Sequence, residues 1–489
     1  MMILYLQSYV YNTIKRRSSI MNYIRFQADG QLAFTQSTSF LQIPSCLYGF
    51  TNVSTSSCST KSGRNAFLFE GTLDASEESL TCDNCGSRMH INNHPSITLR
   101  HLPFGSTLTS VRFPRNQYFC PVCHSTKMQF ISFKASGHRI TEELYQYTRD
   151  LLALGIYTNK EVAELTGLGK NTVKDIDKQR LQELYTIDDK LIKPEKPAKY
   201  LGIDEFKLHN GYRYATHIID METGHILWVA GGKKKQVVYD FIEHVGLKWM
   251  DGVEAVACDM NSDFQEAFEE KCPHIQPVFD YFHIVKNFND KVVSEVRKDE
   301  QRRLTEEGDI EAAKSLKKTR YILTSSRDTL KKKDDDAAKE RVIHKGSQLF
   351  KTEDIMRKTG YEECYDSLIS QNKLLFTLDL IKEKLKLAYS RDDECLMAED
   401  IIAIMDMCKA TNNPHLLWFE RLLDSHFEGI IAHATYKISA GKIEGINNKI
   451  KTLRRQAYGY PDDEYFFLKL FDMSRRDYVR NPSSHKICD

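Results

Sequence analysis

Two sets of side chains in this sequence have the types and spacings that hold metal ions. The first is acidic. Asp204 follows the apolar run Tyr200-Leu201-Gly202-Ile203, and Asp259 follows Val253-Glu254-Ala255-Val256-Ala257-Cys258. A carboxylate on such a strand is costly unless it is paired or binds a cation. A third acid, Glu444, stands in Ser439-Ala440-Gly441-Lys442-Ile443-Glu444-Gly445-Ile446-Asn447-Asn448-Lys449-Ile450-Lys451, a helical stretch continuing through Leu453-Arg454-Arg455. Glu444, Asn447, Asn448 and Lys451 recur at i, i+3, i+4 and i+7 and share one face, while Ile443, Ile446, Ile450 and Leu453 form the core side. The second set is sulfur. Cys82-Asp83-Asn84-Cys85 and Cys120-Pro121-Val122-Cys123 are two Cys-x-x-Cys knuckles, able to give a structural Zn²⁺ four thiolate ligands. A lone Cys-x-x-Cys would also read as a redox pair; two of them argue for zinc.

These groups need elements to position them. The run from Lys199 to Phe206 reads as a strand, Asn210-Gly211 as a tight turn, and Tyr212 to Asp220 and Ile226 to Ala230 as the next two strands. Gln236 to Met250 is an amphipathic helix with Val237, Val238, Phe241, Ile242 and Val245 at helical spacing. Val253 to Cys258 is a buried strand, Asn261 to Lys271 a helix, and Ile275 to Phe279 a fifth strand ahead of Asp280-Tyr281-Phe282-His283. Three strands, helix, strand, helix, strand, with acids on the first and fourth strands, is the layout of a ribonuclease-H-like core, in which those two strands are neighbours. Asp204 and Asp259 would then face each other, and two such carboxylates repel unless cations lie between them. A pair of Mg²⁺ ions about 4 Å apart can activate an attacking oxygen and stabilise a leaving one in phosphodiester cleavage. Either Asp alone reads better as a turn or cap residue; the pair in this strand order carries the metal reading.

The intervening and flanking stretches read as follows. Ile97 to Phe119, between the knuckles, alternates as strands and fits a zinc ribbon, with His90 and His94 as loop or DNA-facing residues. Thr141 to Tyr185 is helical. Thr141-Glu142-Glu143 opens one helix that Gly155 stops, Asn159 to Gly167 forms a second, and Gly169-Lys170-Asn171-Thr172-Val173 opens a third. That is the helix-turn-helix order, with Lys170, Asn171, Thr172 and Lys174 toward a major groove and Val162, Ala163, Leu165, Leu168, Val173 and Ile176 packed. An ordinary three-helix bundle fits the same pattern; the zinc ribbon in front tilts the reading toward DNA. Leu191 to Lys199 is a Pro-containing linker. Asp290 to Met405 is charged and helix-rich, an inserted helical domain or arm. Lys442, Lys449, Lys451, Arg454 and Arg455 give the Glu444 helix a basic surface suited to phosphates.

The totals set bounds. A chain of 489 residues exceeds a single core. Lys+Arg 68 against Asp+Glu 67 leaves a net charge of +1, so a nucleic-acid surface must be local. No apolar run approaches the roughly 20 residues that span a bilayer, and the first 17 residues place their apolar part before their basic part, the reverse of a secretory signal. A cytoplasmic, nucleoid-associated protein is expected. Twelve cysteines suit a reducing compartment. Cys46 and Cys58 lack ligand spacing, and Cys364, Cys395 and Cys408 read as core thiols. Residues 1–75 are Ser/Thr/Asn-rich with little periodicity, and Met21 is an alternative start.

Taken together, these residues resemble the ISL-three family of bacterial insertion-sequence transposases of the DDE type. The resemblance rests on Tyr200 to Phe206, Cys258-Asp259-Met260, Phe279-Asp280-Tyr281-Phe282-His283-Ile284-Val285-Lys286, Ile443 to Lys451, and Arg454-Arg455-Gln456-Ala457-Tyr458-Gly459-Tyr460, with His101-Leu102-Pro103 and the knuckles in the same order, over about residues 80–476. It implies a catalytic triad of Asp204, Asp259 and Glu444 holding two Mg²⁺ or Mn²⁺ ions. It also implies a D-x-x-H element, Asp280 and His283, that positions DNA; for His283 a salt-bridged or core role competes. Asn447, Lys451, Arg454 and Arg455 join the expected DNA contacts. Ser439-Ala440-Gly441 departs from the more usual Ser-Asn-Gly. The expected architecture is multidomain α/β: an N-terminal extension (1–75), zinc ribbon (76–138), helix-turn-helix (139–190), linker (191–198), retroviral-integrase-type core (199–290 and 425–476) with a helical insertion (291–424), and a tail (477–489). The implied activity is recognition of terminal inverted repeats in double-stranded DNA, then cleavage and strand transfer by a homodimer or higher assembly. A non-catalytic zinc-ribbon and helix-turn-helix regulator is the alternative, and a junction or RNA nuclease on the same core a third reading.

Overall fold

A computed structural model describes residues 47, 49–60, 63–73, 80–209, 211, 213–260, 262–339, 342–343, 355–356, 358–439, 441–457 and 459–476. The alternative start at Met21, Cys46, the turn residue Asn210, Tyr212, Ala440, Tyr458 and the tail lie outside these residues. The chain divides into two compact units, residues 1–147 and 148–489.

In the first unit, strands β1 (Phe50–Ser59), β2 (Asn65–Leu73), β4 (Ser96–Phe104) and β5 (Thr107–Pro114) form one sheet in the order β1-β2-β5-β4. Leu99 pairs with Val111 across β4 and β5, and both are buried with Phe113, Phe133 and Phe50. The short strands β3 (His90–Asn93), β6 (Gln117–Phe119) and β7 (Thr126–Met128) form a second, antiparallel sheet in the order β3-β6-β7. The strands expected between Ile97 and Phe119 are present. Those at 50–59 and 65–73 were not expected, and the part of the 1–75 extension that is described is therefore strand. The alternation that announces a strand is missing from β1 because most of its residues are exposed on both faces.

The second unit begins in the helix Glu142–Leu154, which carries the chain from one unit to the other, and continues with helices Asn159–Thr166 and Lys170–Tyr185. Thr158 and Glu161 close a capping box at the start of the second helix, and Gly167, at φ 71, ends it in the left-handed conformation that favours glycine. Val162, Val173 and Ile176 are buried as expected, but Leu165 is 44 % exposed. The hairpin β8 (Thr186–Ile187) and β9 (Lys190–Leu191) precedes the main sheet.

That sheet has the order β12-β11-β10-β13-β14, from β10 (Tyr200–Lys207), β11 (Tyr214–Asp220), β12 (Ile226–Gly231), β13 (Ala255–Ala257) and β14 (Gln276–Val278). β10, β11 and β12 are antiparallel neighbours; β13 is parallel to β10 and to β14. Both faces are covered, so the two-residue strand period sorts side chains between two cores. Leu201, Ile203 and Val256 join Val238, Phe241, Phe264 and Phe268 on one face. Ala255, Ala257, Ile219 and Val278 join Ile443, Ile446, Ile450, Phe466 and Leu470 on the other. The expected 236–250 helix is two pieces, Lys235–Val245 and Leu247–Met250, divided at Gly246, whose φ is 81.

The 291–424 region is helical among its described residues, apart from the pair of two-residue strands at Val342–Ile343 and Ile355–Met356. Its apolar side chains, Leu375, Leu385, Ile401 and Phe419 among them, belong to the same continuous core as Leu201 and Phe241. Cys408 is buried, Cys364 half-buried and Cys395 exposed, so the core assignment holds for Cys408 and fails for Cys395. The helices Gly441–Gln456 and Asp463–Ser474 return to the sheet.

Candidate functional site

Asp204 lies on β10, and Asp259 lies two residues past the end of β13, its parallel neighbour. The parallel register pairs Gly202 with Ala257, two residues before each aspartate. Parallel neighbours lie about 4.8 Å apart in the hydrogen-bonding direction. Asp204 shares its face of β10 with Gly202, and there the Gly441–Gln456 helix packs. A Cβ on Gly202 would lie 2.4 Å from Met221 Sδ and 2.9 Å from Ile443 Cδ1. The glycine therefore sets how closely the Glu444 helix approaches the sheet.

Asp204, Asp259, Asp280, His283, Glu444, Asn447 and Lys451 all line one open cleft of about 810 Å³. Asp204 Oδ1 accepts from the Glu205 amide at 2.7 Å, and Oδ2 accepts from Asn447 Nδ2 at 2.6 Å. Asn447 Oδ1 is buried with no hydrogen-bond partner among the described residues. Asp259 Oδ1 accepts from the Met260 amide at 2.7 Å and lies 3.2 Å from His283 Nδ1. That contact with His283 holds the Asp259 carboxyl below its usual range. Burial opposes charge on His283, but the Asp259 hydrogen bond and the fields of Asp259, Asp204 and Asp280 raise it above the ordinary imidazole value. Asp280 is itself buried and caps the helix Tyr281–Asn287 by accepting from the Phe282 amide at 3.0 Å. Glu444 is exposed. Among the described residues the three acids line the same cleft without bringing ligand atoms as close together as the cysteine quartet does.

Other residues with expected DNA roles are placed individually. Lys170 and Asn171 are exposed and Thr172 is half-buried at the start of their helix. Lys174 instead lies 2.7 Å from Asp462. Lys442 donates to the carbonyls of Met221 and Glu222 at 2.6 Å each, and Arg454 donates to the carbonyl of Lys207. Lys451 and Arg455 are exposed.

Sequence reasoning missed several groups at this cleft. Lys286 lies one helical turn beyond His283, a spacing that could have revealed it; Lys386, Tyr389 and His433 come from distant helices with no local signal. His217 pairs with Asp204 across β10 and β11, is fully buried, and burial pushes it down to about 4 against the opposing field of Asp204.

In the first unit, the Sγ atoms of Cys82, Cys85, Cys120 and Cys123 all lie within 4.8 Å of one another and could hold a metal ion. Cys82 lies 3.4 Å from Cys123, and Cys85 lies 3.5 Å from Cys120. The Ser125 hydroxyl, then the Asn84 and Cys85 amides, bring the Cys82 thiol down to about 6, favouring the thiolate that binds metal. His90 and His94 stay outside the quartet: His90 is exposed and His94 Nδ1 lies 2.7 Å from Asn116 Oδ1.

No helix among the described residues is long and apolar enough to cross a membrane. Residues 201–470 match the family described as transposase, the ISL-three group of the DDE type. The chain is 26 % identical over 392 residues to the transposase for insertion sequence element IS1001 of Bordetella parapertussis, covering 80 % of this chain and 88 % of that one. It is 24 % identical over 310 residues to the transposase for insertion sequence element IS1557 of Mycobacterium tuberculosis, covering 61 % of this chain and 64 % of that one. The matched span includes Asp204, Asp259 and the helix that carries Glu444: this chain belongs to the ISL-three family of DDE transposases.

Proposed function

We propose that the chain binds the terminal inverted repeats of its own insertion sequence and cuts and joins DNA strands at the cleft of Asp204, Asp259 and Glu444. The observation that carries this reading is that Asp204 on β10, Asp259 just past the end of the neighbouring parallel strand β13, and Glu444 on the helix packed over that sheet all line one cleft. The five-stranded order with three antiparallel and two parallel strands suits a ribonuclease-H-like core. The helices at 159–166 and 170–185, joined through Gly167, suit a helix-turn-helix in which Lys170, Asn171 and Thr172 read the groove. The cysteine quartet suits a structural zinc ribbon, since roughly 2.3 Å Zn–S bonds place tetrahedral sulfurs under 4 Å apart.

The cleft's donor set fits Mg²⁺ or Mn²⁺: carboxylates from three elements plus Asn447 Oδ1, an uncommitted amide oxygen, are hard ligands for hard cations. Asp204, Asp259 and Glu444 would hold the ions, which supply charge stabilisation for the attacking and leaving oxygens. The protein's own residues do the rest. The Glu205 and Met260 amides fix one oxygen of each aspartate, and Asn447 fixes the rotamer of Asp204. His283 holds Asp259 in place, and Asp280 caps the helix that presents it. Water attacks phosphorus in line first, and the freed 3′-hydroxyl attacks the target strand next. Synapsis of two ends requires at least a dimer, and the cytoplasm is the corresponding compartment.

The test is nicking of a supercoiled plasmid carrying the inverted repeats that flank the gene. The purified chain with Mg²⁺ nicks at the repeat ends and leaves a repeat-free plasmid intact. Specific binding of the repeats without nicking would leave a DNA-binding regulator instead.

A further inference from the structure

A second cleft of about 650 Å³ adjoins the acidic one, and Tyr281, Phe282 and Lys286 line both. The Asp280 cap positions this shared wall: it starts the Tyr281–Asn287 helix so that His283 meets Asp259 while Phe282 remains 52 % exposed. Across the second cleft stands another exposed aromatic, Tyr321, 47 % exposed, with Lys333 Nζ 4.0 Å from its ring centroid. Single exposed apolar side chains are ordinary. Two aromatic rings lining one cleft beside a set of acids are less so.

The charges of this cleft select its occupant. Lys286, Lys318 and Arg320 line it against one carboxylate, Asp290, which Arg320 already neutralises at 2.9 Å. Lys286 and Lys318 are exposed and make no ion pair among the described residues. The wall also includes a six-residue π-helical turn, Phe288–Val293, a local distortion often found at functional sites. From it Asn289 lines the cleft, with its Oδ1 buried and without a hydrogen-bond partner among the described residues. Aromatic faces with uncommitted cations beside them are the elements that bind an unpaired nucleotide, the base stacking and the phosphate taking the charge. The volume is in the range that encloses a small molecule, about 300–1,000 Å³.

We propose that this second cleft receives one unpaired nucleotide of the DNA end, its base stacked on Phe282 and its phosphate held by Lys286 and Lys318, next to the phosphodiester at the acids. The inference rests on the cleavage reading above and deepens it. Extruding a base costs unstacking, which the aromatic wall offsets, and the extruded nucleotide fixes which phosphate reaches the acids.

The experiment uses the full chain, Mg²⁺ and duplex oligonucleotides carrying the flanking inverted repeat, with a single abasic site stepped through each position beside the cut. Phe282→Ala slows nicking of the intact duplex about tenfold to a hundredfold, with end binding in gel shifts unchanged. An abasic site at one position restores its rate to within about threefold of wild type, because no stacking is then required. Phe282→Trp, which keeps an aromatic face, nicks at close to the wild-type rate and controls for folding. Wild-type nicking by Phe282→Ala, or a slow Phe282→Ala that no abasic position rescues, overturns the proposal. Wild-type protein that binds the repeats and nicks none of the duplexes overturns the cleavage reading itself, a result distinguishable from either of these.

Discussion

Asp177 is the group whose removal the structure resolves most sharply. It lies fully buried on the Lys170–Tyr185 helix. Its Oδ1 accepts from Arg180 Nε and Nη2 at 2.9 and 2.8 Å, and its Oδ2 accepts from Tyr465 at 2.7 Å and Lys469 at 2.9 Å. Arg180 reaches on to Asp472 at 3.3 Å, so the network binds the helix that bears Lys170 and Asn171 to the Asp463–Ser474 helix at the sheet. Asp177→Ala leaves Lys469 buried with no carboxylate and Arg180 with only a longer contact. Removing one partner of a buried ion pair costs about 3–5 kcal/mol. At roughly 2.1 cal/mol/K per residue, that lowers the melting temperature of the 148–489 unit by about 4–7 °C. Burial would raise the Asp177 carboxyl, but Lys469 and Arg180 more than compensate and hold it low. Its stabilisation is therefore present above the unfolded carboxylate value of about 3.9 and disappears as pH falls through its folded value. The assay is thermal unfolding by circular dichroism at neutral pH and again as pH is lowered below about 4, with repeat binding at neutral pH alongside. The gap between wild type and Asp177→Ala closes in acid. Equal melting temperatures at neutral pH would refute the reasoning, as would a gap that persists unchanged in acid.

Three further outcomes follow from the same geometry. Asn447→Ala leaves Asp204 Oδ2 unheld and lowers the nicking rate about 10- to 100-fold, the usual cost of losing an outer-shell partner; nicking titrated against Mg²⁺ shows whether the metal requirement rises. Gly202→Ala drives a methyl into Met221 and Ile443 and costs about 1–3 kcal/mol as overpacking, read as a lower melting temperature together with slower nicking from a displaced Glu444 helix. The purified chain should release one zinc per chain on thiol modification; Cys82→Ser should lose it, whereas Cys58→Ser, at an exposed cysteine outside the quartet, should retain it.

Much of the acidic site was legible because strand period and strand order act together. The alternation around Leu201 and Ile203 fixes which face Asp204 takes, and the order of the elements makes β10 and β13 neighbours, though it does not set their register. Asn447 was legible as a polar residue on the Glu444 face, but not as the partner of Asp204, because helical spacing gives a face and not the atom that meets it. Lys174 had the position of a DNA contact, yet its counter-charge, Asp462, lies far along the chain. Leu165 satisfied the helical pattern yet is 44 % exposed, and β1 exposes seven of its ten residues, so neither could be placed by period. Tyr389, Lys386 and His433 enter the cleft through tertiary packing alone.

If Asp204, Asp259 and Glu444 hold the divalent cations used in DNA cleavage, exchanging one ligand atom should change which metal supports nicking. Asp204→Cys, which exchanges a hard oxygen ligand for sulfur, should bind the inverted repeats as wild type does. It should fail to nick with Mg²⁺ and recover nicking with the more thiophilic Mn²⁺, while Asp204→Ala should bind and nick with neither. Nicking by Asp204→Ala in Mg²⁺ at the wild-type rate would contradict the assignment.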